Sequence, residues 1–202
     1  MSVIILANGE FPKNKKIINI LKTADIIICT DGAYEKALKI SISPYAVVGD
    51  FDSVDPNSIK ENINIVKTPD QNKTDLEKTL NYCVENKFDD VIIVGATGIK
   101  DDHTYVNLLL LAQFSESIKV QILTDYYKIF VIQGNYSFKC KKGSTVSLIS
   151  FEKNNIISTK GLKYNLSNEI LRSSSHGVSN KALDENIFIS ASKSLYIFQE
   201  FK

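Results

Sequence analysis

Up to about residue 125, short apolar runs alternate with segments whose apolar residues recur at helical spacing. The apolar runs predict buried strands, and the helical spacing predicts helices. The predicted strands are 3–8, 25–30, 45–49, 63–68, 90–96 and 119–124, and the predicted helices are 13–24, 32–40, 74–86 and 103–114. Strands that are apolar throughout and alternate with helices predict a mostly parallel sheet covered on both faces, which is a three-layer α/β/α domain.

After about residue 125 the pattern changes to short strands separated by turn residues. Residues 128–140 predict a hairpin that turns at Gly134-Asn135. Further short strands are predicted at 144–151, 155–164, 186–192 and 194–201. The pattern is typical of a small all-β domain, a sandwich. We therefore predict two domains, 1–128 and 129–202, in the α/β class.

Composition narrows the classes of function. The chain has 202 residues, of which 44% are apolar and 23% charged, as in an ordinary globular protein. A net charge of +1 gives no broad positive field for nucleic acid or acidic lipid, and no apolar run approaches the length of a membrane span. Three scattered cysteines without a CxxC pair predict reduced thiols and a cytoplasmic location.

Polar residues follow the predicted strands of the first domain, at the point where each strand ends. In a parallel sheet these ends share one edge, and ligands bind in the crevice outside that edge. We therefore expect a single polar site there. The residues are Asn8, Gly9, Asp31, Gly32, Asp50, Asp52, Asp70, Gln71, Thr74, Asp75, Thr97, Lys100, Asp101, Asp102 and His103.

The predicted site is rich in aspartate, which favours Mg²⁺ as the bound ion, because Mg²⁺ prefers hard oxygen ligands. Asp50 and Asp52 stand two apart, so an extended backbone would point both carboxylates the same way. A bound Mg²⁺ would offset their repulsion. The alternative is that both are turn residues that accept hydrogen bonds from their own backbone.

Two neighbouring motifs carry a structural interpretation beside a functional one. In "TDLE", Thr74 predicts a helix N-cap, and Asp75 lies in the first turn, where it could cap the helix or also reach the metal. "GATGIK" is rich in glycine but lacks the spacing of a phosphate-binding P-loop, so Gly98 could simply permit a turn. His103 fits a structural histidine better than a general base, and no nucleophile triad is visible.

Several motifs in order along the chain resemble the thiamin pyrophosphokinase (thiamine diphosphokinase) family. The combination of "GDFDS" with "DQNKTD" at a fixed distance is the most specific part of this resemblance. The motifs are "CTDGAY" at 29–34, "VVGDFDSV" at 47–54, "DQNKTDLEKTL" at 70–80, "GATGIKDDHTYVNLLLL" at 95–111, "KGLKYNL" at 160–166 and "HGVSN" at 176–180. The resemblance implies an α/β domain followed by a β-sandwich domain, in a homodimer.

The resemblance also implies a reaction and roles for individual residues. The enzyme would transfer a pyrophosphoryl group from ATP to the hydroxyl of thiamine, giving thiamine diphosphate and AMP. Asp50, Asp52 and Asp75 would bind Mg²⁺, and Asp102 would accept the proton of the hydroxyl or orient it. The nucleotide and its phosphates would contact Asn8, Asp31, Gly32, Thr74, Thr97, Lys100 and His103. Thiamine would contact Gln71, Ser179 and Asn180, in a pocket completed across the dimer interface.

The chain departs from the family pattern in the loop before the last predicted helix of the first domain. Ile99 stands where the family usually has a second glycine, and Lys100 stands where it has arginine. Lysine keeps the positive charge but loses the planar two-pronged contact that arginine makes with phosphate. Asp101 adds a negative charge beside it, and Lys181 follows Asn180 where an acid is common.

Two other functions use the same residues. One is a different Mg²⁺-dependent phosphotransferase or phosphohydrolase that acts on another small molecule at the same acidic edge. The other is a regulatory module that binds nucleotide or thiamine without turnover, in which Lys100 marks lost catalysis. A purely structural protein would have no use for the clustered acids.

Overall fold

The structure, a computed structural model, describes residues 2–201. The chain forms two compact units, one up to Asp125 and one from Tyr126 onward. The assignment of 1–128 and 129–202 to separate functional domains stays a prediction.

The first unit consists of alternating strands and helices, as the hydrophobic pattern predicts. Two short 3₁₀ turns lie at Asp31–Ala33 and Pro56–Ser58. The strands are β1 (Ser2–Leu6), β2 (Ile26–Thr30), β3 (Ala46–Gly49), β4 (Asn64–Lys67), β5 (Asp90–Val94) and β6 (Lys119–Leu123), and the helices are α1 (Lys15–Thr23), α2 (Tyr34–Lys39), α3 (Asp75–Glu85) and α4 (Asp101–Phe114).

The six strands of this unit pair in the order β6-β5-β1-β2-β3-β4, and each pairing is parallel. This confirms the predicted fold class. The chain builds outward from β1 to β4 on one side and then returns to β5 and β6 on the other. The order therefore reverses between β1 and β5, which is where ligands bind in open parallel sheets.

Local sequence explains how α3 begins. Thr74 has an extended backbone, and its hydroxyl accepts the N–H of Glu77 at 3.3 Å, which confirms the predicted N-cap. The buried face of the helix contains Leu76, Leu80 and Cys83, which recur at helical spacing. Asp75 is thereby fixed as the first residue of the helix, at the carboxyl edge of the sheet.

The second unit is all-β and is formed around two long strands. Its strands are β7 (Tyr127–Lys139), β8 (Thr145–Ile149), β9 (Ile157–Lys160), β10 (Asn180–Lys181) and β11 (Asn186–Glu200). Strand β11 pairs antiparallel with β7 along most of its length. Its second half also pairs with β8, its first half pairs with β9, and β10 pairs with β8. Apolar residues from both halves of β11, including Ile187 and Ile197, share one buried core, as in a sandwich.

Two predictions for this unit are wrong. Gly134-Asn135 does not turn a hairpin, because both residues lie inside β7 and pair with β11. Gly134 has φ +75° opposite the point where the register of β11 shifts, between Ala191 and Leu195, so this glycine permits a bend in a continuous strand. Residues 186–192 and 194–201 are likewise parts of one strand interrupted by that irregularity.

None of the helices in residues 2–201 has the length and apolar character that a membrane-spanning helix needs.

Candidate active site

A polar pocket of about 190 Å³ lies at the carboxyl edge of the parallel sheet, where the strand order reverses. We call it the strand-edge pocket. The loops after β1 and β5 meet here, and Gly9 has no room for a side chain, since a Cβ would lie 2.4 Å from the carbonyl oxygen of Gly95. The lining residues are Ala7, Asn8, Gly9, Thr30, Ser53, Thr74, Asp75, Leu76, Ala96, Gly98, Ile99, Lys100, His103 and Asn107.

Three carboxylates converge at this edge, and we call them the acidic cluster. Asp31 follows β2, Asp50 follows β3, and Asp75 begins α3. One oxygen from each lies within 4.8 Å of the others. An all-carboxylate set at this spacing matches the hard oxygen ligands that Mg²⁺ prefers. The sequence led us to expect Asp50, Asp52 and Asp75 as the metal ligands, whereas the structure gathers Asp31 with Asp50 and Asp75.

Lys78 neutralises part of this cluster and was missed by sequence reasoning. Its ammonium group donates to Asp50 Oδ2 at 3.0 Å and to Asp75 Oδ1 at 3.1 Å. The residue is only 4% exposed, so it lies on the buried face of α3. A lysine three residues after Asp75, on the apolar face of a helix, is the signal that could have found it.

The charges of the cluster shift its pKa values in opposite directions. Burial and the neighbouring Asp75 carboxylate raise the pKa of Asp31, against the N–H of Gly32 that stabilises its charge. The hydrogen bond from Lys78 lowers the pKa of Asp50. Burial opposes the charge of Lys78, yet its bonds to both carboxylates raise its pKa overall, so its ammonium remains charged.

Asp31 is held rigidly by backbone groups. Its two oxygens accept the N–H of Gly32 and, at 3.1 Å, the N–H of Phe51. The absence of a side chain at Gly49 makes room for it, because a Cβ there would lie 2.7 Å from Asp31 Cγ. Asp31 is therefore held in one orientation, and only 2% of it is exposed.

The prediction that an extended backbone points the carboxylates of Asp50 and Asp52 the same way is wrong. Phe51 has φ +67°, so the chain turns sharply between the two acids. Asp52 is exposed, and its N–H donates to Asp50 Oδ1 at 3.3 Å, which is the turn geometry of the alternative interpretation. A contact of Asp52 with metal stays a prediction.

The other predicted site residues of the first unit fall into two groups. Asn8, Thr74, Lys100 and His103 line the strand-edge pocket with Asp75. Within the described part of the chain, Gly32, Thr97 and Asp102 do not line it. Asp102 is exposed in the first turn of α4 and accepts the N–H of His103 at 2.8 Å. Gln71 donates to Asp50 Oδ2 at 3.2 Å, so it contacts the acidic cluster.

The loop before α4 has an unusual backbone. Gly98 has φ +77° and Ile99 has φ +67°, and Ile99 is 72% exposed. A β-branched residue in this region is strained, whereas a glycine would not be. Lys36, a second residue that sequence reasoning missed, donates to the carbonyl oxygens of Asn8 and Gly9, at 2.8 Å each. It therefore helps to fix the backbone of two pocket-lining residues.

Ser179 and Asn180 line a separate pocket of about 280 Å³ within the second unit, beside the exposed Tyr164. Asn180 donates to the carbonyl oxygen of Tyr164 at 2.8 Å, and its Oδ1 accepts the N–H of Tyr164 at 3.1 Å. Both ends of its amide are therefore used to shape the backbone. Ser179 has φ +61°, and its N–H donates to Ser147 Oγ at 3.0 Å.

Comparison with known proteins gives the same family along the chain. Residues 17–122 match the family model described as thiamin pyrophosphokinase, catalytic domain. Residues 132–196 match the model described as thiamin pyrophosphokinase, vitamin B1 binding domain. Thiamin pyrophosphokinase 1 of Caenorhabditis elegans is 28% identical over 213 residues, covering 96% of this chain and 87% of that protein.

Solved structures share the fold. Thiamine pyrophosphokinase from Bacillus subtilis superposes with a TM-score of 0.81 at 22% identity, covering 100% of both chains. Thiamin pyrophosphokinase from Candida albicans superposes with a TM-score of 0.78 at 21% identity, covering 100% of this chain and 90% of the other.

The two family models define the class of protein as a kinase that acts on a small molecule, and the parallel α/β unit followed by an all-β unit is consistent with that class. The two family models together extend from residue 17 to residue 196. The chain belongs to the thiamin pyrophosphokinase family, whose enzymes form thiamine diphosphate from thiamine.

Proposed function

We propose that this chain transfers a pyrophosphoryl group from ATP to the hydroxyl of thiamine, giving thiamine diphosphate and AMP, with Mg²⁺ as cofactor. The observation that carries the proposal is the acidic cluster of Asp31, Asp50 and Asp75 next to the strand-edge pocket. An acidic, oxygen-lined edge suits both a metal-bound triphosphate and a cationic substrate such as thiamine.

The acidic cluster would hold the metal. Asp31, Asp50 and Asp75 offer oxygens within 4.8 Å of one another, and Asp52 could add a ligand from the turn. When bound, Mg²⁺ supplies neutralisation of charge on the phosphate oxygens. Lys78 already donates to Asp50 and Asp75, so it would share these carboxylates with the ion.

The remaining pocket residues would orient the nucleotide. Lys100 would supply positive charge to phosphate oxygens, and the N-terminus of α3, beginning after Thr74, favours anions. Asn8 and His103 would border the nucleotide, together with the loops at Gly32 and Thr97. Catalysis here needs positioning and charge stabilisation, without a covalent nucleophile.

The proposed reaction forms one bond, breaks another and releases a proton, and Asp102 would accept that proton. The hydroxyl oxygen of thiamine would form a bond to the β phosphorus, and the bond from that phosphorus to the oxygen bridging the α and β phosphates would break. AMP leaves with that oxygen. The proton of the hydroxyl would pass to the carboxylate of Asp102, which is exposed in the first turn of α4 between the pocket residues Lys100 and His103.

Three residues would recognise thiamine. Gln71 would act from the acidic cluster, and Ser179 and Asn180 from the pocket of the second unit. Tyr164 in that pocket is exposed, and its ring, which has the Lys163 ammonium 5.3 Å from its centroid on one face, would contact the cationic ring of thiamine with the other face. Assembly into a homodimer, which would complete this pocket, stays a prediction.

A product assay tests the proposal. Purified protein is mixed with ATP, Mg²⁺ and thiamine, and the products are resolved by chromatography. Equal amounts of thiamine diphosphate and AMP, lost on addition of EDTA, are expected. ADP without thiamine diphosphate would indicate a different phosphotransferase or phosphohydrolase. Binding of both ligands by calorimetry without any product would indicate a regulatory module.

A further inference from the structure

Two buried side-chain oxygens of the strand-edge pocket have no hydrogen-bond partner among residues 2–201. They are Thr30 Oγ1 and Asn107 Oδ1. Thr30 is 2% exposed and Asn107 is 7% exposed, and both line the pocket. Buried polar atoms are normally paired, because their lost contact with water is otherwise uncompensated. Two such atoms in one pocket indicate that a ligand group supplies the missing bonds.

The orientation of Asn107 restricts what this ligand group can be. Its Nδ2 donates to the carbonyl oxygen of Ala96 at 2.7 Å, so the amide has a fixed orientation. The free atom is therefore Oδ1, which can only accept. Thr30 offers a hydroxyl, which accepts and donates. The ligand must carry a hydrogen-bond donor at this point.

The chemistry of ATP identifies the part of the ligand that meets this requirement. The ionised phosphates offer acceptor oxygens, whereas donors are found on the ribose hydroxyls and on the amino group of adenine. Asn107 also lies about 10 Å along α4 from Lys100, at 1.5 Å per residue, so it is remote from the proposed phosphate contact. His103 and Asn107, four residues apart, share one face of the helix that leads from that end of the pocket to this one.

We infer that Thr30 and Asn107 form the nucleoside-binding end of the strand-edge pocket, where they accept hydrogen bonds from a hydroxyl or amino group of the nucleoside. This inference rests on the proposed function. It gives Thr30 and Asn107 contact with the nucleoside, a role different from those proposed for Lys100 and for the acidic cluster, whose first member, Asp31, directly follows Thr30. Thiamine also carries a hydroxyl and an amino group, so the test measures binding of ATP without thiamine.

The first test is Thr30→Val, which keeps the shape of the side chain and removes the hydroxyl. Because the hydroxyl is unpaired in the free protein, its unfolding temperature should be unchanged or higher. The Kd for ATP, measured by calorimetry with Mg²⁺, should rise about tenfold, the effect of one lost hydrogen bond. The matched control is Thr79→Val, because Thr79 is also buried but donates to the Asp75 carbonyl oxygen at 2.7 Å. That change should lower the unfolding temperature.

The second test uses the wild-type protein, so it does not depend on the folding of a variant. ATP is compared with three analogues that lack the 2′-hydroxyl, the 3′-hydroxyl or the adenine amino group. One of them should bind about tenfold more weakly, and Thr30→Val should cost that analogue less affinity than it costs ATP. Equal binding of all four nucleotides, or wild-type affinity for ATP in Thr30→Val, would overturn the inference and leave the proposed function standing. Failure of the wild-type protein to bind ATP would overturn both.

Discussion

The ammonium group of Lys78 lies 3.0 Å from the carboxylate of Asp50, which stands 28 residues earlier in the chain. The Lys78 side chain is 3% exposed and also contacts Asp75, so one buried cation joins two of the three members of the acidic cluster. This arrangement explains how negatively charged carboxylates can lie close together at this edge before any metal binds. Lys78 holds the carboxylates in place, and a metal ion would complete the neutralisation.

Replacing Lys78 by methionine should therefore destabilise the metal-free protein. The loss removes one partner of a buried ion pair, but Asp50 and Asp75 are 17% and 35% exposed, so water will screen part of the repulsion. We expect a loss of about 2–3 kcal/mol in the free energy of unfolding. Mg²⁺ should then raise the unfolding temperature more in the variant than in the wild type, as followed by thermal melts with EDTA or MgCl₂.

The matched control is Lys119→Met, which removes an exposed ion pair to Asp90. It should change stability by less than about 1 kcal/mol and leave the effect of Mg²⁺ unaltered. An equal Mg²⁺ effect in Lys78→Met and the wild type would contradict the role of Lys78 at the metal site.

Asp50→Asn should abolish formation of thiamine diphosphate while the chain stays folded, because the amide cannot replace the charge of a metal ligand. The product assay and a circular dichroism spectrum measure the two effects. Near-normal activity of this variant would rule out Asp50 as a metal ligand.

The same variant gives a pH-dependence test. The pKa of Asp50 is lowered from 3.8 by Lys78, so the folded state binds fewer protons than the unfolded chain near that pH. The stability that Asp50 contributes is present above pH 3.8 and is lost as the pH falls through the lower pKa of the folded state. The difference in unfolding temperature between wild type and Asp50→Asn should be constant from pH 7 to about pH 5 and shrink below pH 4. A difference that persists unchanged at pH 2 would contradict this.

Local patterns in the sequence predicted the parts of the fold that local forces determine. The apolar runs predicted the parallel sheet, and Thr74 predicted the start of α3. The hairpin prediction at Gly134 failed, because pairing with β11, more than fifty residues later, overrides a local turn signal. The contact of Lys78 with Asp50 could not be predicted for the same reason, since the two residues are distant in sequence, although its place on the apolar face of α3 is a local signal.

The candidate site was predicted as a region more accurately than in its geometry. The edge of the sheet followed from topology alone, so the residues after each strand could be named. The positive φ of Phe51, which turns Asp52 away from an extended path, is accompanied by a hydrogen bond from the Phe51 N–H to Asp31, a contact between residues distant in sequence. The unpaired oxygens of Thr30 and Asn107 have no counterpart in a sequence pattern.

Gly49→Ala should disturb the acidic cluster without changing a charge. The new Cβ would lie 2.7 Å from Asp31 Cγ and 2.8 Å from Asp31 Cβ, and Asp31 is too buried to move freely. We expect a loss of about 1–3 kcal/mol in the free energy of unfolding from overpacking. The rise in unfolding temperature caused by Mg²⁺ should also shrink, because the displaced Asp31 leaves the cluster. Wild-type stability together with a wild-type Mg²⁺ effect would show that Asp31 is not confined in this way.

Ile99→Gly should stabilise the protein. Ile99 adopts φ +67° while 72% exposed, so its side chain contributes little packing to offset a backbone strain of about 1–2 kcal/mol. Glycine removes that strain but loses about 0.5–1 kcal/mol through the greater freedom of the unfolded chain. The net gain in the free energy of unfolding should be about 0.5–1 kcal/mol, measured by urea titration. Ile99→Ala, which keeps a Cβ in the same backbone conformation, is the matched control and should gain less. A stability of Ile99→Gly below that of the wild type would show that the side chain, despite its exposure, stabilises this loop.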